Sequence, residues 1–275
     1  MAGPKTCVFC GLARRLTDEH IFAAWVDAIF PEAAKEKARF TIARIGAPPR
    51  VYEGLPFEQR VPVVCGSCNS GWMNRLETAV GPVLGPIVRG DAASTEIAPP
   101  MQRTIATWAT KTAFMLEHLH PANRVVPDVE YRRLYAAEQP PPYYMVFLAR
   151  RASIINPDTG AANLVMSREQ EINAIAYTQD VTDEEIRSSI GGGATAYRIT
   201  VALGFLVFVV LGHSFPNPLN LTVTPNGEHL IRCVWPLQGR LGWPTAWPIE
   251  QVGGFEALHN AFDPATHPLR KGRPE

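Results

Sequence analysis

The sequence predicts an α+β fold in two parts: a small cysteine-stapled module over residues 1–90, then a larger mixed α+β region over residues 91–275 with one long helix and several strands. Three observations predict it. Four of the five cysteines form two CxxC pairs, "CVFC" at 7–10 and "CGSC" at 65–68, in a segment with little continuous apolar sequence. A helical stripe occupies 101–120, with Met101, Ile105, Trp108, Thr112, Met115 and Leu119 spaced three or four apart and Leu116 beside Met115. Beyond it, segments rich in β-branched and aromatic residues recur.

Taken in order, "HIFAAWVDAIF" at 20–30 reads as a short helix with Phe22, Trp25, Val26 and Ile29 inward. "RVPVVC" at 60–65 reads as a strand entering the second cysteine pair, and "NSGWMNRLETAV" at 69–80 as a helix with Trp72, Leu76 and Val80 on one face. The glycines and prolines of "GPVLGPIVRGDAASTEIAPP" predict a break over 81–100, before the long helix. Strands are expected at 143–150, 162–167, 172–178, 194–212, 219–224 and 229–235, and loops from 236 onward.

Lysine and arginine total 26, as do aspartate and glutamate, so the chain is formally neutral. Neutrality does not advertise a nucleic-acid binder, although a local patch suffices for one. Residues 1–90 hold eleven basic against eight acidic side chains. The start "MAGPKTCVFC" carries no apolar leader, and the most apolar run, 201–212, is twelve residues, too short for a membrane helix. The expected setting is cytoplasmic, without membrane association. Paired CxxC spacing in a reducing compartment points to a metal rather than to disulfides.

Cys7, Cys10, Cys65 and Cys68 supply four thiolates, the usual set for structural zinc, and a thin-cored segment needs such a staple. The 54 residues between Cys10 and Cys65 make a long loop, but closure entropy grows only by about 0.6 kcal/mol per doubling of length. Four thiolates complete a tetrahedron and leave no place for water, so this zinc is not catalytic. Cys233, in "LIRCVWP", reads as a core thiol. The triplet Asp18–Glu19–His20 and the asparagine after the last paired cysteine, Asn69, then need roles of their own.

"CVFC", then "DEHI", then "VVCGSCN" resembles the HNH nuclease family of the ββα-metal, or His-Me finger, group, over about residues 7–77. The resemblance implies a zinc-pinned two-stranded hairpin against a helix, and an endonuclease that hydrolyses phosphodiester bonds in DNA. By position it implies His20 as general base, with Glu19 and Asn69 as ligands of a catalytic Mg or Mn ion. These residue types suit the chemistry. An imidazole titrating near neutrality can take a proton from water, and hard oxygen ligands favour Mg or Mn. Asp18 competes with Glu19 for the ligand role or caps the helix near 21, and Asn69 serves equally as a helix cap. Adjacent strand residues point to opposite faces, so Glu19 and His20 need an irregular strand to serve one phosphate. Arg60 stands where the family has an asparagine that orients the histidine, with Gln59 beside it.

Arg14, Arg15 and Arg75 are candidate phosphate contacts or solvated surface charges. Trp72 reads as core, and Glu77 as a salt-bridged or solvated carboxylate. Nothing in 91–275 forms a second catalytic set, and "GGGA" at 191–194 lacks phosphate-loop spacing. That region offers target recognition, a homo-oligomer interface or a regulatory partner's surface. The alternative to a nuclease is a non-catalytic zinc module that binds nucleic acid or protein.

Overall fold

The computed structural model describes residues 5–29, 38–44, 47–54, 59–92, 94–119, 124, 126–152, 165–170, 196–213, 227–252 and 258. It is a mixed α+β fold, with helices and sheets around the paired cysteines. Strand β1 (Leu16–His20) leads into a short helix α1 (Ala24–Ile29). A hairpin follows, β2 (Ala38–Arg44) antiparallel to β3 (Ala47–Gly54), which the sequence did not announce. Strand β4 (Arg60–Cys65) then returns to pair with β1.

One helical turn (Gly66–Cys68), a π-helical stretch (Asn69–Met73) kinked at Gly71, and helix α2 (Asn74–Arg89) follow without a gap. The predicted break at 81 does not occur. Pro82 and Pro86 lie four apart, with Pro82 exposed and Pro86 half-buried, so the carbonyls their missing N–H groups leave free can be solvated. Val80, Leu84, Ile87 and Val88 hold the opposite face in the core. The helix ends at Gly90, at φ +82°, whose N–H reaches Ile87 O at 3.1 Å. A Cβ there would lie 2.6 Å from the Phe205 ring, so glycine is required twice over.

Strand β5 (Thr95–Ile97) precedes the long helix α3 (Pro99–Leu116), which starts on a proline and tightens into a 3₁₀ turn at Glu117–Leu119. The stripe predicted for it is too narrow. From Ile105 to Leu116 every side chain is buried, because α3 packs on α2 and also on a five-stranded sheet. Helix α4 (Asp128–Ala137) packs on α3. The sheet has the antiparallel order β10–β6–β9–β8–β7, with β6 Met145–Arg150, β7 Val165–Gln170, β8 Ala196–Leu203, β9 Leu206–His213 and β10 Ile231–Trp235.

The run expected as one strand at 194–212 folds as the β8–β9 hairpin, turning at Gly204–Phe205. The strand expected at 162–167 begins at Val165, and the one at 229–235 begins at Ile231 after a turn of helix over Gly227–Leu230. Residues 172–178 and 219–224 lie outside the described residues. The tail contains β11 (Leu241–Trp243), paired with β5. No helix is long and apolar enough to cross a membrane among the described residues.

Side chains alternate across the sheet. Val146, Leu148, Val201, Phe208 and Val210 join one hydrophobic cluster that also takes in Cys7, Phe9, Trp72 and Trp108; Phe147, Val207 and Val209 form a second. Each such fully buried large side chain stabilises by about 1.5–3 kcal/mol. Cys233 is only half-buried and packs at the edge of the second cluster.

His118, just past α3, is 8 % exposed and meets Tyr131 edge-on at 5.3 Å. Burial, helped by the Arg124 charge, lowers its pKa to about 4 from an ordinary 6.5. The unfolded chain therefore takes the proton first, so the stability tied to neutral His118 is complete above about pH 6.5 and is lost as pH falls toward 4. Denaturant titrations of wild type and His118→Phe between pH 7 and 4.5 should show wild type losing stability relative to the variant as pH falls. A constant difference would contradict this.

Candidate metal centre

The first cysteine pair sits in a tight turn before β1. Cys7 N–H donates to Leu12 O at 3.0 Å and Gly11 N–H to Cys7 O at 2.9 Å, with Gly11 at φ +70°, where glycine costs nothing. Val8 N–H donates to Val63 O at 3.1 Å, tying the turn to β4. The second pair straddles a strand end: Cys65 closes β4 opposite Leu16, and Cys68 lies in the helical turn that follows. Cys65 N–H points at Cys7 Sγ, 3.4 Å away. Beneath, Phe9 meets Trp72 edge-on at 5.1 Å and Tyr131 at 5.7 Å. Trp72 is core, as expected.

All four Sγ atoms lie within 4.8 Å of one another, and Cys10 Sγ is 3.8 Å from Cys65 Sγ. A tetrahedron with zinc–sulfur bonds of about 2.3 Å has sulfurs about 3.8 Å apart. None of the four is in a disulfide, and all but Cys10 are buried. Burial raises the Cys10 thiol. Burial and then the neighbouring Cys7 charge raise Cys68 further. Burial also opposes ionisation at Cys65, but the Cys68 N–H and the surrounding thiols outweigh it and bring Cys65 down to about 7. The cluster can thus stabilise one thiolate by itself. The other three need a cation among the sulfurs, which zinc would supply. This is a buried four-cysteine site suited to a structural metal.

Beside it lies a pocket of opposite charges. Between Thr17 and Glu19 the β1–β4 register slips, with β4 taking an extra residue around Pro62, which has no N–H for the ladder. The slip lies before the Glu19–His20 step, which itself pairs regularly with Val61 and Arg60. Glu19 turns inward and is 7 % exposed, Asp18 is exposed, and His20, opposite Arg60, is half-buried. Helix α1 begins only at Ala24, so Asp18 does not cap it. Asn69 is one turn inside the helical stretch rather than at its cap, and its side chain hydrogen-bonds Glu19. The described contacts join Glu19 to Asn69 and bring no catalytic His–Glu–Asn set together.

Glu77, two turns beyond Asn69, accepts a hydrogen bond from Lys111 Nζ at 2.6 Å, and the Lys111 side chain is wholly buried. Burial raises Glu19 to about 7; the Lys111 charge opposes that, Glu77 adds to it, and the Asn69 bond and Arg60 oppose it more weakly. Lys111 is the participant that sequence reasoning missed. The available signal was a single charge in the otherwise uncharged stretch between Arg103 and Glu117.

Arg14 donates to Ser67 Oγ at 2.8 Å. With Lys5, Arg15, Leu16 and Pro62 it lines an open groove of about 530 Å³ along β1. Arg75 pairs with Glu138 at 2.8 Å, with both partners exposed. No family model matches this chain, and comparison with curated proteins and with solved structures gives no match. The likeness to HNH nucleases stays at the level of motifs, and what stands is the broader description, a zinc-binding module.

Metal analysis of freshly purified, reduced protein should find about one zinc per chain. Cys68→Ser should lose it and lower the melting temperature, because structural zinc binding is coupled to folding. Metal-free protein with unchanged melting would refute the staple.

Proposed function

We propose that this chain is a zinc-stapled module that binds nucleic acid without cutting it. The observation that carries this reading is the groove lined by Lys5, Arg14 and Arg15 beside the cysteine cluster. Its cations project from the segment that the metal holds, and Arg14 is steadied by Ser67, between the two cysteines of the second pair. Guanidinium and ammonium groups spaced along an open groove suit backbone phosphates rather than base edges, so recognition is expected to be weakly sequence-dependent. The chain's neutrality is compatible with this, since the charge that matters is local.

A second reading is an endonuclease, and the Glu19–Asn69 contact favours it. In that reading Glu19 and Asn69 hold Mg or Mn, which when bound would stabilise charge on the scissile phosphate. His20 takes the proton from the attacking water. The order β1, β4, helix is consistent with it. Against it stands Lys111, whose ammonium already pairs with Glu77.

Binding of labelled duplex DNA and RNA, followed by anisotropy, should weaken with salt at a log–log slope of about 2 to 3, as three phosphate contacts require. The triple variant Lys5→Gln, Arg14→Gln, Arg15→Gln should weaken it at least about tenfold with zinc retained. Unaltered binding by the variant, or none by wild type, would remove the proposal. Plasmid incubated with Mg or Mn should stay intact; nicking that His20→Ala abolishes would establish the second reading instead.

A further inference from the structure

Helix α4 lies against the first cysteine turn. Tyr131 meets Phe9 at 5.7 Å and Tyr135 meets Trp72 at 5.9 Å, ring to ring, so this side of the helix faces the module. Arg132 runs along the turn itself: a Cβ built on Gly11 would lie 3.4 Å from its Cδ. Arg132 is exposed and has no carboxylate partner among the described residues. The acids of α4 are taken by others, Asp128 by Arg124 at 2.6 Å and Glu130 by Arg133; Glu138, just past the helix, pairs with Arg75. The Arg132 charge is left for a group outside the chain. The same spot holds the two large apolar side chains that stay exposed among the described residues, Leu12 at 49 % and Val129 at 38 %. Leu12 follows Gly11, and Val129 stands one turn before Arg132 on the same face of α4. Scattered singly they would mean little, but here they flank one unpaired guanidinium.

We propose that Leu12, Val129 and Arg132 extend the groove of Lys5, Arg14 and Arg15 into one nucleic-acid track that crosses the first cysteine turn onto α4, with Arg132 as its fourth phosphate contact. This rests on the reading of the groove as a nucleic-acid surface, and adds that both parts of the chain take part. Gly11 and Arg14 are three residues apart, at most about 10 Å of extended chain. One strand of duplex DNA advances about 3.4 Å per nucleotide, so anchors this close suit phosphates about three nucleotides apart or nearer. Charge selects the partner. The track offers four cations and no unpaired carboxylate of α4, which suits a phosphate backbone. Leu12 and Val129 would cover the sugar edges between the phosphates.

The test uses full-length, zinc-loaded protein and labelled duplex DNA, followed by anisotropy. Arg132→Gln should weaken binding about threefold or more, and should lower the log–log salt slope by about 0.9, the share of one phosphate. Arg132→Lys keeps the charge and should restore the slope. Val129→Glu places a carboxylate in the track and should weaken binding at least as much as Arg132→Gln. Unchanged zinc content and melting temperature show that the fold is kept; should Arg132→Gln melt early, the affinity of Val129→Glu decides. Wild-type affinity and slope in folded Arg132→Gln overturn the proposal, and a loss that Arg132→Lys fails to restore marks a packing role and overturns it too. In either case the groove variant Lys5→Gln, Arg14→Gln, Arg15→Gln still reports on the groove by itself. Wild type that binds nothing, or a groove variant that binds as wild type does, overturns the groove reading and this extension with it.

Discussion

The convergence of four sulfurs is the constraint on which the module depends. Cys7 and Cys10 come from a turn, Cys65 from a strand end and Cys68 from a helical turn, so bringing their Sγ atoms within 4.8 Å fixes three kinds of local structure at once. The β1–β4 pair is only two strands, too small to be stable alone. A metal held there would close the chain across the long insertion, and β1 pairs with β4, the strand that leads into the helical stretch carrying Asn69 and Glu77. The candidate residues Arg14, Arg15, Glu19, His20 and Asn69 lie on or beside the elements which that closure joins.

Lys111 arrives from the other part of the chain, and its arrival shows how closely the parts are joined. Phe9 and Trp72 reach Tyr131 and Tyr135, and Trp25 meets Trp108 at 5.7 Å. One hydrophobic cluster runs from Cys7 to Trp243. The Lys111–Glu77 ion pair is embedded in this contact between α2 and α3. Breaking it from one side would leave a buried charge unpaired, which costs far more than an exposed ion pair contributes. The acid pocket is therefore a joint product of the cysteine module and the helix that covers it. Its electrostatics cannot be read from the module alone.

This bears on function. The motif order invites a hydrolytic centre, but a hydrolytic centre needs its acids available to a metal and its histidine aimed at the same phosphate. Here one acid is engaged by a lysine and the other by an amide, while His20 lies beside Arg60 at the strand end. The cations of the β1 groove, by contrast, are exposed. The recognition proposed for that surface would ask nothing of the acid pocket beyond holding α2 and α3 together.

The sequence by itself determined what is local and chemical. CxxC spacing named the four metal ligands, because two cysteines two residues apart share one turn whatever surrounds them. Apolar periodicity found β4, β6 and α3, and it marked Trp72 as core. Tertiary structure alone decided the rest. Helix α2 runs through Pro82 and Pro86 because its other face is buried, which propensity does not register. The 194–212 run folds back at Gly204 because both its faces find a core. Asn69 lies inside a helix rather than at its cap because the helix starts at Gly66, against the cysteine cluster. Glu77 and Lys111 stand 34 residues apart on separate helices, so their charges signal nothing to each other along the chain. They meet only where α3 packs on α2, and low-dielectric packing is what turns two ordinary side chains into the dominant charges of the pocket.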